Sequence, residues 1–165
     1  MKLVRPVRKS DLDALLGLAR DAGVGLTTLP PDEAVLSARI ADSEHALSRP
    51  VRKPAAETYL FVLEDVLTGE VQGTCGIVAR VGGFEPFYAY RIRSRDLHSE
   101  RLGVHKSIYV LHLDRAHSGP SEIGTLFIRP EARGGGHGRL LSLSRFCFMA
   151  AHPGRFDKEV LAEMR

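Results

Sequence analysis

The segment that most constrains this chain is RGGGHG at residues 133–138. It sets an arginine and four glycines between the strand-like SEIGTLFIRP and the apolar run RLLSLSRFCFMA. Glycine at that density costs chain entropy. Here a strand must stop, the backbone must turn through conformations that glycine tolerates, and a helix must begin. The first N–H groups of a helix lack internal partners, and the macrodipole adds positive potential around them. An anion, phosphate above all, fits such a point. Arg133 and Arg139 stand at the two ends of the loop, placed for charge-assisted contacts.

Three phosphate loops can be compared with it. A Walker loop needs Lys-Ser/Thr after its last glycine, whereas Gly138 is followed by Arg139 and Leu140, so that pattern fails. A dinucleotide G-x-G-x-x-G belongs near the start of a βαβ unit, whereas this loop lies late in the chain and in the wrong register. The third pattern, R-x-x-G-x-G, is matched at each fixed position by Arg133, Gly134, Gly135, Gly136, His137 and Gly138. After a strand ending in Pro130-Glu131, it resembles the acyl-CoA pyrophosphate loop of the GNAT acyltransferase superfamily.

The elements upstream agree in order with that resemblance. LVRPV at residues 3–7 reads as an opening strand. SDLDALLGLARDAG reads as a helix with Ser10 as N-cap, Asp13 in its first turn and Gly23 past its end. A second helix is expected from Pro31, with Asp32 and Glu33 suiting its dipole, and residues 48–57 form a loop. TYLFVLED at residues 58–65 is dense enough in apolar residues for a central strand, joined through LTG to the strand EVQGTCGIVARVG. FEPFYAYRIRSR reads as a further strand, and LGVHKSIYVLHL as a short helix or strand. SEIGTLFIRP is a strand stopped by Pro130. The last helix is expected to put Leu140, Leu143, Cys147 and Ala150 on one face, with Leu141 and Phe148 beside it, and KEVLAEMR to form a final strand. The fold class is therefore α/β: a GNAT-like mixed twisted sheet flanked by helices. Residues 1–165 would form one acyl-CoA-binding domain, lacking the superfamily's usual C-terminal helix and strands.

With 165 residues, 44% hydrophobic and 26% charged, the chain suits one domain with a real core and is too apolar for disorder. A net charge of +3 suits an anionic ligand. The excess is arginine scattered singly, without the clustered cations and aromatic platforms of a nucleic-acid surface. No apolar run approaches membrane-spanning length and none at the start resembles a signal peptide, so a cytoplasmic protein with neither nucleic-acid nor membrane partner is expected. Cys75 and Cys147 lie in apolar stretches without metal-ligand spacing. They are expected as two buried thiols, and no metal is expected.

The wording of several segments narrows the resemblance. RPVRKSDLDALLGLA, GVGLTTLP, YLFVLED, EPFYAYR, LGVHK, the PEAR–GG–GRLLS–SRF stretch and the final LAEMR together resemble the bacterial arginine N-succinyltransferase family along essentially the whole chain. The resemblance is weakest over residues 92–121. It implies transfer of the succinyl group of succinyl-CoA to the α-amino group of arginine, in arginine catabolism. It also implies acyl-CoA as co-substrate with no permanently bound cofactor. Members of that family continue well beyond LAEMR, so the chain corresponds to roughly their first half. An exposed last strand would then offer an edge for a homo- or hetero-oligomer. Two other readings stand beside this one: acetyl transfer from acetyl-CoA to another amine, and a non-catalytic acyl-CoA-binding or subunit domain.

For individual residues, the resemblance places Leu126, Phe127 and Ile128 on the strand whose backbone meets the pantetheine arm. Leu126 is favoured as the N–H donor to the acyl carbonyl, and the three side chains are expected in the core. His137 fills a position the loop pattern leaves free and is expected to face solvent. Glu122 is a candidate base or guanidinium partner, with an ordinary strand-edge charge as the alternative. His105, in LGVHK, is a second catalytic candidate. Glu85, Tyr88 and Tyr90 are candidates for the substrate cleft. Arg91, Arg93 and Arg95 alternate as a solvated strand face would, and one of them could meet the succinyl carboxylate.

Overall fold

A computed structural model describes residues 1–83, 87–114 and 119–163. Its main sheet is built from β1 (Lys2–Pro6), β2 (Thr58–Asp65), β3 (Val71–Val78), β6 (Ser121–Ile128) and β7 (Val160–Leu161), in that spatial order. β1, β2, β3 and β6 run antiparallel to their neighbours, and β7 joins β6 in parallel. Two long strands, β4 (Ala89–Ser99) and β5 (Val104–Asp114), form a separate antiparallel hairpin. The helices are α1 (Leu12–Ala22), α2 (Glu33–Ser48) and α3 (His137–Ala151).

The unbroken apolar run of β2 is buried on both faces. Leu60 and Val62 pack with Leu15, Leu18, Leu36 and Ile40 from α1 and α2. Tyr59, Phe61 and Leu63 pack on the other side with Cys75, Ile77, Leu141 and Phe156. Alternation of side chains along a strand produces this division. Phe148 of α3 seals the second side, its ring centroid 5.0 Å from Phe61 and 5.3 Å from Tyr59. Arg155 ties the chain beyond α3 to the end of α2, its guanidinium donating to the carbonyls of Ala46 at 2.7 Å and Arg49 at 2.9 Å.

Local expectations are corrected at several points. α1 begins at Leu12 after a short 3-10 turn, and Ser10 is not its cap. The buried Asp11 carboxylate organises this entry, accepting from the Arg8 N–H at 2.7 Å and from both terminal nitrogens of Arg5. α2 starts at Glu33 rather than Pro31, because Asp32 is its N-cap and accepts from the Val35 N–H. LGVHKSIYVLHL, left open between helix and strand, is strand from Val104 after a 3-10 turn ending at Leu102, and the final strand shrinks to Val160–Leu161. α3 turns Leu141 and Arg145 inward, while Leu140, Leu143 and Phe146 are 43–46% exposed and Cys147 is exposed. The bulk of Leu141 and Phe148, packed against the β2 aromatics, decides which way the helix rolls. Cys75 is buried as expected, and burial pushes its thiol up to about 11.

Candidate active site

The glycine loop needs its glycines for backbone reasons. Gly134, Gly135 and Gly136 all take positive φ, at 97°, 56° and 78°, where a side chain would be strained. Gly138 lies inside α3, where a Cβ would meet only Ile128 Cδ1 at 3.9 Å, so neither the turn nor the packing within the chain requires glycine there. The N–H groups of Gly135, Gly136, Gly138 and Arg139 have no backbone acceptor among the described residues. They open on the N-terminus of a 15-residue helix, where unpartnered N–H groups and the helix macrodipole favour an anion.

His137 is half-buried rather than turned to solvent. Its Nδ1 lies 2.9 Å from the Ala132 carbonyl. A carbonyl only accepts, so Nδ1 carries the proton and the ring pins the loop to the turn before it. Arg133 donates through Nε to the Ile128 carbonyl at 3.2 Å, which leaves its terminal nitrogens for a ligand. Arg139 is exposed in the first turn of α3.

The strand leading into the loop is distorted in a specific way. Pairing between β3 and β6 runs from Thr74↔Phe127 to Gly76↔Gly124, so Thr125 and Leu126 together face one residue, Cys75. This is a β-bulge, a device that re-aims backbone and side chains. Thr125 adopts φ 54°, an outlier for a β-branched residue that the surrounding packing must hold in place. Glycines on the neighbouring strand make room. A Cβ on Gly73 would stand 2.8 Å from the Phe127 carbonyl oxygen, and one on Gly76 would stand 3.3 Å from Thr125 Oγ1.

On its other edge β6 pairs with β7 only at Ser121 and Glu122. Ala162 and Glu163 beyond it do not extend the ladder and instead border a cleft with Ile123, Gly124 and Leu126. Two clefts lie along β6 and meet at Leu126. One, of about 320 Å³, is lined by Leu126, Phe127, Ile128, Arg133, Gly134 and Gly138. The other, of about 530 Å³, passes Glu122, Gly124, Thr125, Ser142 and Arg145 and reaches the segment before α2. Leu126, expected in the core, is instead 41% exposed between these clefts, whereas Ile128 is buried. Behind β6 a smaller cavity of about 90 Å³ holds Arg39, Thr58 and Glu122. Burial lowers the Arg39 pKa, and the Glu122 charge opposes that shift.

The structure thus brings together the loop residues, Leu126, Phe127, Ile128 and Glu122. It does not bring His105, Tyr88 or Tyr90 to the clefts: all three lie on or beside the hairpin, exposed, with His105 across the strands from His98 at a ring separation of 5.9 Å. Glu85 lies outside the described residues. Arg91, Arg93 and Arg95 are exposed on β4, Arg91 in a 2.8 Å ion pair with Asp114. Sequence reasoning missed the half-buried Arg39 and the buried Arg145, both lining cavities. The signal for Arg145 was its place within the apolar pattern of α3.

A bulged strand leading into a glycine loop, with a helix N-terminus at the mouth of its cleft, defines the GNAT class of fold. Solved structures of that class agree. The chain superposes on an N-acetyltransferase from Ralstonia eutropha described as GCN5-related with a TM-score of 0.52, at 15% identity over 99% of this chain and 83% of that one. A much nearer match is the arginine/ornithine succinyltransferase subunit AI from Pseudomonas aeruginosa, with a TM-score of 0.89 and 36% identity over 99% of this chain and 49% of that one. The family model for the arginine N-succinyltransferase beta subunit matches residues 2–165, and the chain belongs to that family. Arginine N-succinyltransferases from Salmonella arizonae and Salmonella paratyphi B are 45% and 46% identical over all of this chain and 48% of their own length. The chain therefore spans about half the length of the curated relatives it matches.

Proposed function

We propose that this chain binds succinyl-CoA and presents its thioester to the α-amino group of arginine. The observation that carries this reading is the bulge that exposes Leu126 between two clefts, one of them continuous with the glycine loop. The pyrophosphate would sit at the start of α3, held by the loop N–H groups, Arg133 and Arg139. The pantetheine arm would run along Leu126, Phe127 and Ile128 as an added strand would, with the Leu126 N–H directed at the acyl oxygen. Glu122, on the strand edge between two cavities, is placed to take a proton from the incoming ammonium.

The chemistry balances without a further reactant. The amine nitrogen forms a bond to the thioester carbon, the C–S bond breaks, and the thiolate leaves with a proton as free coenzyme A. Holding both substrates in one cleft supplies the proximity. The family match and the identity to named succinyltransferases, over all of this chain and about half of theirs, support the choice of acyl group and acceptor.

The test is incubation of the protein with succinyl-CoA and arginine, reading thiol release together with the mass of the arginine product. Thiol release matched by N-succinylarginine is expected. Faster turnover with acetyl-CoA, or thiol release with no succinylated arginine, would contradict the reading.

A further inference from the structure

Arg145 is 4% exposed, yet among the described residues no ion pair reaches it. Its Nε donates to the Ser142 carbonyl at 3.2 Å, one turn back on α3. Nη2 donates to Ser142 Oγ at 3.0 Å, and Nη1 reaches the Gly124 carbonyl at a long 3.4 Å. Those three contacts leave two of its five N–H donors unused. Burial pulls its pKa down, and the one acidic group acting against that is the Cys75 thiol. Removing a cation from water without a counter-charge is costly, and a chain keeps such an arrangement most readily where a ligand brings the missing anion.

The position is informative. Arg145 lines the larger cleft with Ser142, Gly124 and Leu126, on the far side of the bulge from the glycine loop. It lies eight residues into α3, roughly 12 Å along the axis from the helix start. A ligand with phosphates at that start and its thioester at Leu126 would carry the end of its acyl chain toward this guanidinium. Arg39, a half-buried arginine nearby, already faces Glu122 and donates to the Thr28 carbonyl, so it is the less available of the two.

We infer that Arg145 is the acyl-specificity residue of this cleft, its guanidinium pairing with the distal carboxylate of a dicarboxylic acyl group. The inference rests on the acyl-CoA reading above. A guanidinium and a carboxylate match as two parallel N–H···O bonds, and an acyl chain ending in a methyl would leave the buried cation unpaired. Ser142 Oγ holds Nη2 and orients the fork.

The experiment is calorimetric titration of the wild-type and Arg145→Met proteins with coenzyme A, butyryl-CoA and succinyl-CoA. Butyryl equals succinyl in carbon count but ends in a methyl group. The wild type should prefer succinyl-CoA over butyryl-CoA by about tenfold or more. Arg145→Met should lose that preference while binding coenzyme A itself within about twofold of wild type. Equal weakening of all three ligands would mark Arg145 as a structural tie between α3 and the bulge, and overturn the inference. A preference that survives the substitution would overturn it too. Should Arg145→Met fail to fold, Arg145→Lys decides, because it keeps the charge and loses the planar fork. The preference should then fall with coenzyme A affinity kept, and an unchanged preference overturns the inference. If coenzyme A does not bind the wild type, the acyl-CoA reading itself fails and takes this inference with it.

Discussion

Asp11 shows how one buried carboxylate can fix the approach to a helix. Its burial would raise its pKa, but the Arg5 guanidinium and the Arg8 N–H outweigh that and hold it below the usual carboxylate value. A group that titrates lower in the folded chain stabilises the fold above its unfolded pKa, near 4, and loses that contribution as pH falls through the folded value. Asp11→Asn should therefore cost about 1–3 kcal/mol near neutrality. In denaturant unfolding across pH, the gap between variant and wild type should begin to narrow below about pH 4 and go on narrowing as pH falls toward the lowered folded value. A gap unchanged at pH 3 would contradict this account. Residues like Asp11 were half legible: SDLDAL announced a helix start, but the choice between Ser10 and Asp11 depended on Arg5, a residue of the neighbouring strand. His137 was illegible for a related reason, since its partner is a backbone carbonyl that only the folded turn presents.

Among the elements, β6 carries most of the proposed site, and its shape depends on the strand beside it. Gly73 lets the backbones of β3 and β6 come close at the exit of the bulge, where an added Cβ would meet the Phe127 carbonyl at 2.8 Å. Gly73→Ala should push the strands apart, costing about 1–3 kcal/mol by overpacking. It should also weaken coenzyme A binding more than Asp11→Asn does, because it displaces the strand along which the pantetheine arm would lie. Thermal unfolding and ligand titration of both variants provide the check, and a Gly73→Ala protein with wild-type affinity would contradict it. The glycine loop was legible because three successive positive-φ residues can be met at low cost only by glycine. The bulge was not, since the SEIGTLFI pattern reads as an ordinary strand, and the insertion appears only in its register against β3. The roll of α3 was misread because apolar residues occur around much of its circumference. Rules of composition also place an arginine outside, whereas Arg145 is inside.

For the whole molecule, the two-sided sheet with α1 and α2 on one face and α3 on the other positions the cleft at the edge where β7 begins. β4 and β5 stand apart from that sheet, exposing Tyr90, Ile92, Tyr109 and Leu111 at 62–82%. No helix among the described residues is long and apolar enough to cross a membrane. The fold class was legible in the order of elements around RGGGHG, because the loop demands a strand before it and a helix after it, whereas the family was legible only through the resemblance in wording of several segments along the chain. Of the residues around the cavities beside β6, the sequence singled out Glu122 but not Arg39 or Arg145, because those cavities are assembled from segments distant in sequence. The most direct test of the central claim is calorimetric titration of coenzyme A into the wild-type protein and into Gly136→Val, whose β-branched side chain opposes the φ of 78° at that position. The account predicts one binding site per chain in the wild type and at least a tenfold loss of affinity, about 1.4 kcal/mol, in the variant. Equal affinity in the two, or no binding to a folded wild type, would contradict it.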